Sequence, residues 1–305
     1  MTDNFSIGVD DWVDYLSDDQ LPVLANSVQS MTDLTSSEDS RVSALTDQVL
    51  KDPNLTSRLL QIANSASYRS ASGPVTTVSR AIIWLGFTSV RDITLSMKVL
   101  DTMLEHNPSQ HLLGLIALSY HTAMQASWMV EDLRHTDREE AFISALLKHV
   151  AEMAFLSRDD EVGRKLNNLI DIKGVSPREA AQEVLGCSFD DVTLGITKRW
   201  QLSPMISEAI LAPASARQAV RAILLGEELC LRAVRGWDHA DVQETIKKIA
   251  KFRNASHKDC EKKILDVADL ARELAVHYGA AKVKHLIPGS DITLDNPLII
   301  PERLA

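Results

Sequence analysis

The sequence predicts an all-α protein, arranged as a multi-helical bundle with two helical lobes. Hydrophobic residues make up 45% of its 305 residues and aromatic residues only 5%, while abundant Ala and Leu favour helices over sheets. Apolar residues recur at three- and four-residue steps through most of the chain, which is the spacing of one buried helix face. No segment shows a convincing strand pattern.

The net charge of the chain indicates which classes of partner it can bind. Lys and Arg number 32 against 42 Asp and Glu, which gives a formal net charge of −10. Proteins that bind nucleic acids usually carry a basic face, so we do not expect nucleic acid as a main partner. A local basic patch is still compatible with this charge.

Cysteines and terminal features indicate the compartment. Cys187, Cys230 and Cys260 are odd in number and far apart, which favours free thiols in a reducing environment over a disulfide or a zinc site. The start, Met1–Asn4, lacks the basic and apolar regions of a secretory signal. No apolar run approaches the ~20 residues of a membrane helix. We therefore expect a cytoplasmic protein without membrane contact.

The N-terminal part is predicted to contain an acidic segment and then the helices of the first lobe. Residues 1–20 form the acidic segment, with a short helix from Asp10 to Leu16, and the next helix is expected at 21–31. Polar residues 32–37 suggest a loop, and Ser36 or Ser37 is positioned to cap the helix that follows.

The central helix of the first lobe is predicted to start at Asp52 and Pro53. A carboxylate at the N-cap accepts an orphan backbone N–H, and a proline at the first helical position lacks an N–H that is not needed there. Near the end of this helix, Asn64 and Ser65 are expected to bond to backbone groups. The apolar stripe of the helix consists of Leu55, Leu59, Ile62, Ala63 and Ala66.

Two more helices complete the first lobe. Apolar spacing predicts one at 78–85, and Gly86 supplies its C-terminal stop. Thr88 or Ser89 is expected to cap the next helix, which runs to about Leu104. The dipeptide Asn107-Pro108 then separates the two lobes.

Long apolar patterns predict the helices of the second lobe. One is expected at 109–133 and another, without interruption, at 137–156. Ser176, Pro177 and Glu179 have the spacing of a capping box with proline at the first helical position. The remaining expected elements are a stop at Gly186, helices at about 190–199, 204–211, 215–234, 238–252 and 258–278, and an extended tail at 286–305.

Several blocks of this sequence together resemble the signature of HDOD domains, the HD-related output domains of bacterial signalling proteins. They begin at Asp52-Pro53, continue through Asn64-Ser65 and reach the segment around Gly86. The resemblance implies an HDOD domain at 21–236, with a first lobe at about 21–107 and an HD-like lobe at about 108–236. Residues 237–285 are then charged C-terminal helices added to this domain.

The related HD phosphohydrolases hold divalent metals with a histidine, an adjacent His-Asp pair and a further aspartate. In this resemblance His121 matches the first histidine, Lys148 stands at the histidine of the pair, and His149 stands at its aspartate. A protonated lysine cannot ligate a divalent cation and repels it. Glu227 or Glu228 could stand near the position of the final aspartate ligand of the HD enzymes, and it is the only other plausible ligand in this resemblance. We therefore expect no metal and no cofactor.

Two interpretations of Lys148 remain. In the preferred one, Lys148 forms a solvated i,i+4 ion pair with Glu152 on one continuous helix. In the other, His121, Lys148 and His149, with Glu152 and Glu227, belong to a vestigial pocket that binds an anion or a regulatory ligand.

The resemblance implies a non-enzymatic output or interaction module that binds a protein partner or a small regulatory ligand. Two departures from the HD pattern favour this function over catalysis. One is at Lys148 and His149, and the other is Phe189, which stands where a histidine is often found. The alternative is a metal-dependent phosphohydrolase of the HD superfamily, for example on a cyclic dinucleotide, with a metal held by His121, His149 and an acidic residue. A third interpretation is a structural homodimer formed through the charged helices at 238–278.

Overall fold

The computed structural model describes residues 8–18, 38–50, 53–64, 74–104, 108–200, 202–277 and 280–290. These residues form fifteen α-helices and no strand, which confirms the predicted all-α fold. The N-terminal helices are α1 Val9–Asp18, α2 Glu38–Leu50, α3 Pro53–Ala63, α4 Val78–Leu85 and α5 Phe87–Leu104. The next are α6 Gln110–Met129, α7 His135–Leu147, α8 Val150–Leu156, α9 Glu161–Asn167, α10 Pro177–Leu185, α11 Phe189–Arg199 and α12 Pro204–Leu211. The last are α13 Gln218–Ala233, α14 Ala240–Arg253 and α15 His257–Leu274, with a π-helical turn at Asn168–Ile172 and a 3₁₀ helix at Ala281–Leu286.

Helix α6 lies at the centre of the fold. Nearly all of its residues are buried, including polar ones such as Ser119 and Gln125. A helix that is covered on all sides must be packed by several neighbours, and here α7, α13, α15 and the 3₁₀ helix surround it. The expected helix at 109–133 is confirmed in its start, with Ser109 as N-cap, but it ends earlier, at Met129.

The predicted capping signals at Gly86 and Ser176 are confirmed. Gly86 has a φ of 89° and donates its N–H to the carbonyl of Ile82 at 2.8 Å. Ser176 and Glu179 form the predicted capping box around Pro177. The expected cap at Thr88 or Ser89 is wrong, because α5 begins at Phe87, directly after Gly86.

The predicted uninterrupted helix at 137–156 is also wrong. The chain forms α7 up to Leu147 and restarts as α8 at Val150, with Lys148 and His149 in a turn between them. Apolar residues on both sides of the turn are buried, so the hydrophobic pattern continues through the break. This turn sets the directions of the Lys148 and His149 side chains.

The N-terminal helix α1 packs on α11. The indole Nε1 of Trp12 donates to the carbonyl of Leu185 at 2.9 Å, and the hydroxyl of Tyr15 donates to Asp160 Oδ2 at 2.6 Å. Gly195 faces Val13 so closely that a Cβ at this position would overlap the Val13 side chain. The short helix predicted in the acidic segment is therefore present and firmly packed on the second half of the chain.

The C-terminal segment joins distant parts of the chain. Arg58 on α3 donates from Nε to the carbonyl of His277 at 3.0 Å, and the ammonium of Lys282 donates to the carbonyl of Leu104. The start of the predicted tail is docked, since Trp237 Nε1 donates to the carbonyl of Gly289 at 2.8 Å.

Some predictions lie outside the described residues. They are the N-cap at Asp52, the signature residue Ser65, the helix at 21–31, the whole loop at 32–37 with the cap at Ser36 or Ser37, Asn107 and the tail beyond residue 290. Within the described ranges, none of the helices has the length and apolar character needed to cross a membrane.

Candidate functional site

The turn between α7 and α8 places Lys148 and His149 against α13. The ammonium of Lys148 forms an ion pair with Glu227 Oε2, and His149 Nε2 lies 2.6 Å from Glu227 Oε1. Each oxygen of one carboxylate is thus bonded by a different side chain. All three side chains are largely buried, with exposed fractions of 12% for Lys148, 4% for His149 and 13% for Glu227.

The position of α13 depends on a close approach to α6. A Cβ added at Gly226 would lie 3.3 Å from the carbonyl oxygen of Thr122, so the two helices pack with little space between them at this point. Gly226 directly precedes Glu227 in the sequence. This contact therefore sets the distance of Glu227 from α6. A larger residue at Gly226 would move the carboxylate away from Lys148 and His149.

The two basic groups keep Glu227 ionised. Burial alone raises the pKa of Glu227, but the charge and hydrogen bond of His149 and those of Lys148 outweigh burial. The net result is a pKa of Glu227 far below its ordinary range. The carboxylate is therefore a permanent anion whose counter-charges come from the protein itself.

His121 makes no bond to this cluster and has other contacts. Its Nε2 accepts from Gln125 Nε2 at 3.2 Å, and Gln125 Nε2 also donates to the carbonyl of Ile264 at 2.9 Å. The indole of Trp237 meets the imidazole edge-on, with ring centroids 6.3 Å apart. Complete burial lowers the pKa of His121 to about 4, so the imidazole is neutral at pH 7.

A small cavity of about 10 Å³ lies beside His121 and is lined in part by Cys230 and Leu286. Its volume matches a single water molecule at most. Burial raises the pKa of the Cys230 thiol, which is neutral as a result. His121 and Cys230, the two titratable side chains on this cavity, are both neutral and offer no charge to a ligand.

Glu152 is not the partner of Lys148, so the preferred interpretation of Lys148 is wrong. The carboxylate of Glu152 is buried and lies 2.9 Å from His111 Nε2 on α6. The turn at Lys148 and His149 breaks the i,i+4 geometry that a continuous helix would have provided. The vestigial pocket as predicted is also divided, because Lys148, His149 and Glu227 come together whereas His121 and Glu152 bond to other groups.

The residues do not fit the divalent metal that the related enzymes hold. Among the described residues, no three or more His, Cys, Asp or Glu side chains are arranged to hold a metal ion. Glu227 is held by an ammonium at the point where a cation would bind, and Phe189 is buried against Phe155 with ring centroids 6.0 Å apart. A ligand set of the HD type is therefore not assembled in this part of the chain.

Asn64 and Gly86, two of the signature residues, serve the fold of the N-terminal helices. Asn64 Nδ2 donates to the carbonyls of Leu60 and Val75 at 2.7 Å each, and its Oδ1 accepts from the Val75 N–H at 2.7 Å. This agrees with the expectation that backbone groups satisfy the Asn64 side chain. Pro53 is the first residue of α3, as predicted.

The buried pair of His111 and Glu152 was not predicted from the sequence. His111 lies at the second position of α6, and its backbone N–H donates to Asp171 Oδ1 at 3.2 Å. No short-range spacing connects His111 to Glu152, 41 positions away. Only the packing of α6 against α8 brings them together.

Solved structures with a similar fold come from several bacteria. An HDOD domain protein with unknown function from Geobacter sulfurreducens is 20% identical, with a TM-score of 0.51 over 86% of this chain and 90% of that one. A "Putative phosphohydrolase" from Shewanella amazonensis SB2B is 15% identical, with a TM-score of 0.59 over 92% and 99% of the two chains. A "Putative signal transduction protein" from Marinobacter aquaeolei VT8 is 15% identical, with a TM-score of 0.55 over 88% of this chain and 61% of that one.

These similarities concern the fold, because all three identities are low. A comparison with curated proteins finds no match. The family model named HDOD domain matches residues 21–215, which is more than half of the chain. The match contains the signature blocks, the turn at Lys148 and His149, and α6 to α12. The chain therefore belongs to the HDOD domain family, whose members are related to HD phosphohydrolases.

Proposed function

We propose that this protein is a non-enzymatic signalling module that binds a protein partner or a small regulatory ligand. The observation that carries the proposal is the bonding of Glu227, whose two carboxylate oxygens are engaged by Lys148 and His149. An ammonium that neutralises an acid in a largely buried site leaves that acid no free charge for a metal. The cluster has the properties of a structural ion pair.

The alternative function, a metal-dependent phosphohydrolase, requires His121, His149 and an acid to point at one ion. His121 bonds to Gln125 and packs edge-on against Trp237, and His149 bonds to Glu227. Metal binding would have to break the Lys148–Glu227 ion pair and bury the released ammonium without a partner. This cost supports the binding module over the enzyme.

An exposed apolar surface on the N-terminal helices supports a protein partner. Helix α4 exposes Ile83 by 79% and Trp84 by 41%, and α2, which packs on α4, exposes Leu50 by 55%. Ile83 and Trp84 are adjacent on α4, and neighbouring exposed apolar side chains are typical of interaction sites. We propose this surface as a binding region for a partner.

Metal content and hydrolysis test the proposal together. The purified protein is incubated with Mn²⁺, Fe²⁺ or Zn²⁺, dialysed and measured by elemental analysis, and hydrolysis of bis(p-nitrophenyl) phosphate is followed in parallel. We expect far less than one metal per chain and no hydrolysis above buffer. His149→Ala tests the cluster, and His285→Ala, at an exposed histidine, controls for adventitious binding.

One result would overturn the proposal. It is near-stoichiometric metal together with hydrolysis, both lost in His149→Ala and both retained in His285→Ala. Metal that is lost equally in both variants indicates surface binding and leaves the ion-pair interpretation in place.

A further inference from the structure

A groove of about 480 Å³ lies between α13 and α14, and none of its lining residues belongs to the Glu227 cluster. Its lining residues occupy positions i, i+3 and i+7 on α13 and i, i+3 and i+4 on α14, so each helix turns one face into the groove. They are Gln218, Arg221 and Leu225 from α13, and Lys248, Lys251 and Phe252 from α14.

The groove is basic although the chain is acidic. Three of its six lining residues are cationic, whereas the chain has a net charge of −10. Lys248 lies 2.7 Å from Glu228 and 4.0 Å from Glu244. In the part of the chain that the structure describes, no carboxylate lies within ion-pair distance of Arg221 or Lys251. The groove therefore carries two uncompensated positive charges.

The guanidinium of Arg221, an exposed residue, lies over the ring of Phe252. Its central carbon lies 5.4 Å from the centroid of the Phe252 ring, a cation–π distance. A guanidinium held by its face keeps its N–H edge free for two parallel hydrogen bonds to a phosphate or carboxylate.

The remaining lining favours an organic ligand over a bare inorganic ion. Leu225 and Phe252 are half-buried and supply an apolar wall beside the cations. The volume of the groove lies in the range of about 300–1,000 Å³ found for small-molecule sites. The groove is open, since four of its six lining residues are exposed, so a bound ligand would stay in contact with solvent. A ligand that uses both parts has a phosphate group and an apolar or planar group.

We propose that the groove between α13 and α14 binds a small phosphorylated organic molecule of nucleotide size. Its phosphates lie against Arg221 and Lys251, and its apolar part lies against Leu225. The regulatory role of this ligand rests on the function proposed above, whereas its binding can be measured independently.

Titration calorimetry of the full chain with ADP tests the site. Pyrophosphate and adenosine are used as separate probes of the two halves of the ligand. We expect saturable one-site binding of ADP, weaker binding of pyrophosphate and no measurable binding of adenosine. Arg221→Gln and Lys251→Glu are each expected to weaken ADP binding by about tenfold or more, since each removes a charge-assisted bond.

Lys262→Glu is the matched control, because it makes the same charge change at an exposed position on α15. This variant should bind ADP as the wild type does, and circular dichroism should show all three variants folded. The proposal is overturned if the wild type does not bind ADP, or if Lys262→Glu weakens binding as much as Lys251→Glu. Binding of an oligoglutamate peptide but not of ADP would also overturn it and assign the groove to an acidic protein partner.

The two proposals fail in different ways. Both proposals are supported if Lys251→Glu loses ADP binding and the wild type shows no metal-dependent hydrolysis. Metal-dependent hydrolysis that requires His149 overturns the signalling module and leaves the groove assignment unaffected. Absence of ADP binding overturns the groove alone.

Discussion

His149 Nε2 lies 2.6 Å from Glu227 Oε1, and Lys148 bonds the other oxygen of the same carboxylate. Two adjacent residues reach one acid because they lie in a turn. On a continuous helix, neighbouring side chains point about 100° apart around the axis. The break between α7 and α8 is therefore the structural basis of the cluster.

Glu227→Gln should destabilise the protein by about 3 kcal/mol, because it leaves two buried basic groups without their counter-charge. The free energy of unfolding in urea at pH 7 measures this effect. Glu183→Gln, at an exposed glutamate on α10, should change stability by less than about 0.5 kcal/mol. Equal effects of the two substitutions would contradict a structural role of the cluster.

Stability should fall as the pH decreases from about 6.5 to about 4 because of His121, whose pKa is lowered from 6.5 to about 4. In this window the unfolded chain binds a proton at this position whereas the folded chain does not, so protons favour unfolding. The contribution of His121 is present above pH 6.5, and its loss amounts to about 3 kcal/mol.

Urea unfolding at a series of pH values, compared between the wild type and His121→Asn, isolates this contribution. The difference in unfolding free energy between the two proteins should change across the window, since asparagine does not titrate. A constant difference between pH 7 and pH 4 would show that His121 titrates normally in the folded state.

Gly195→Ala should loosen the packing of α1 on α11. The added Cβ overlaps the side chain of Val13, a stiff β-branched residue in a buried position, and overpacking costs about 1–3 kcal/mol. Val13→Ala removes the overlapping methyl groups. We therefore expect the double variant to be more stable than the sum of the two single effects implies, as measured by urea unfolding. Simple additivity would refute the direct contact.

Arg58→Met should release the C-terminal segment from α3. The side chain of Arg58 is 9% exposed and pairs with Asp101 Oδ2 at 2.6 Å in addition to its bond to His277. Loss of a charged hydrogen bond should raise amide exchange at 280–290 by about tenfold. Hydrogen–deuterium exchange read by mass spectrometry checks this, with Arg178→Met at an exposed position as the control. Unchanged exchange would mean that the segment is held by other contacts.

Features that depend on neighbouring residues could be predicted from the sequence. The capping signals of Ser176 with Glu179 and of Gly86 act through backbone groups within four residues. They can therefore be recognised in the local sequence. The turn at Lys148 and His149 has no such signal, because the residues around it are apolar on both sides and contain no Gly or Pro. Helix periodicity therefore predicted one helix where there are two.

The site could be predicted only in part, for a related reason. The sequence pointed to Lys148, His149 and Glu227 through the family resemblance, but it paired Lys148 with Glu152. The actual partner lies 79 positions away on α13. Its choice depends on the close packing of α13 and α6 at Gly226, which is a property of the assembled helices.

The contacts of the C-terminal segment also bear on folding kinetics. Arg58 and His277 are 219 positions apart, and Leu104 and Lys282 are 178 positions apart. Contacts over such separations require the closure of very long loops. The chain loses the entropy of loop closure before it gains the favourable energy of these contacts, so we expect them to form late in folding. Interactions that are absent from the folding transition state act on the unfolding rate. Residues 275–277 and 280–290 should therefore act as a kinetic lock, which slows the unfolding of the chain and leaves its folding rate nearly unchanged.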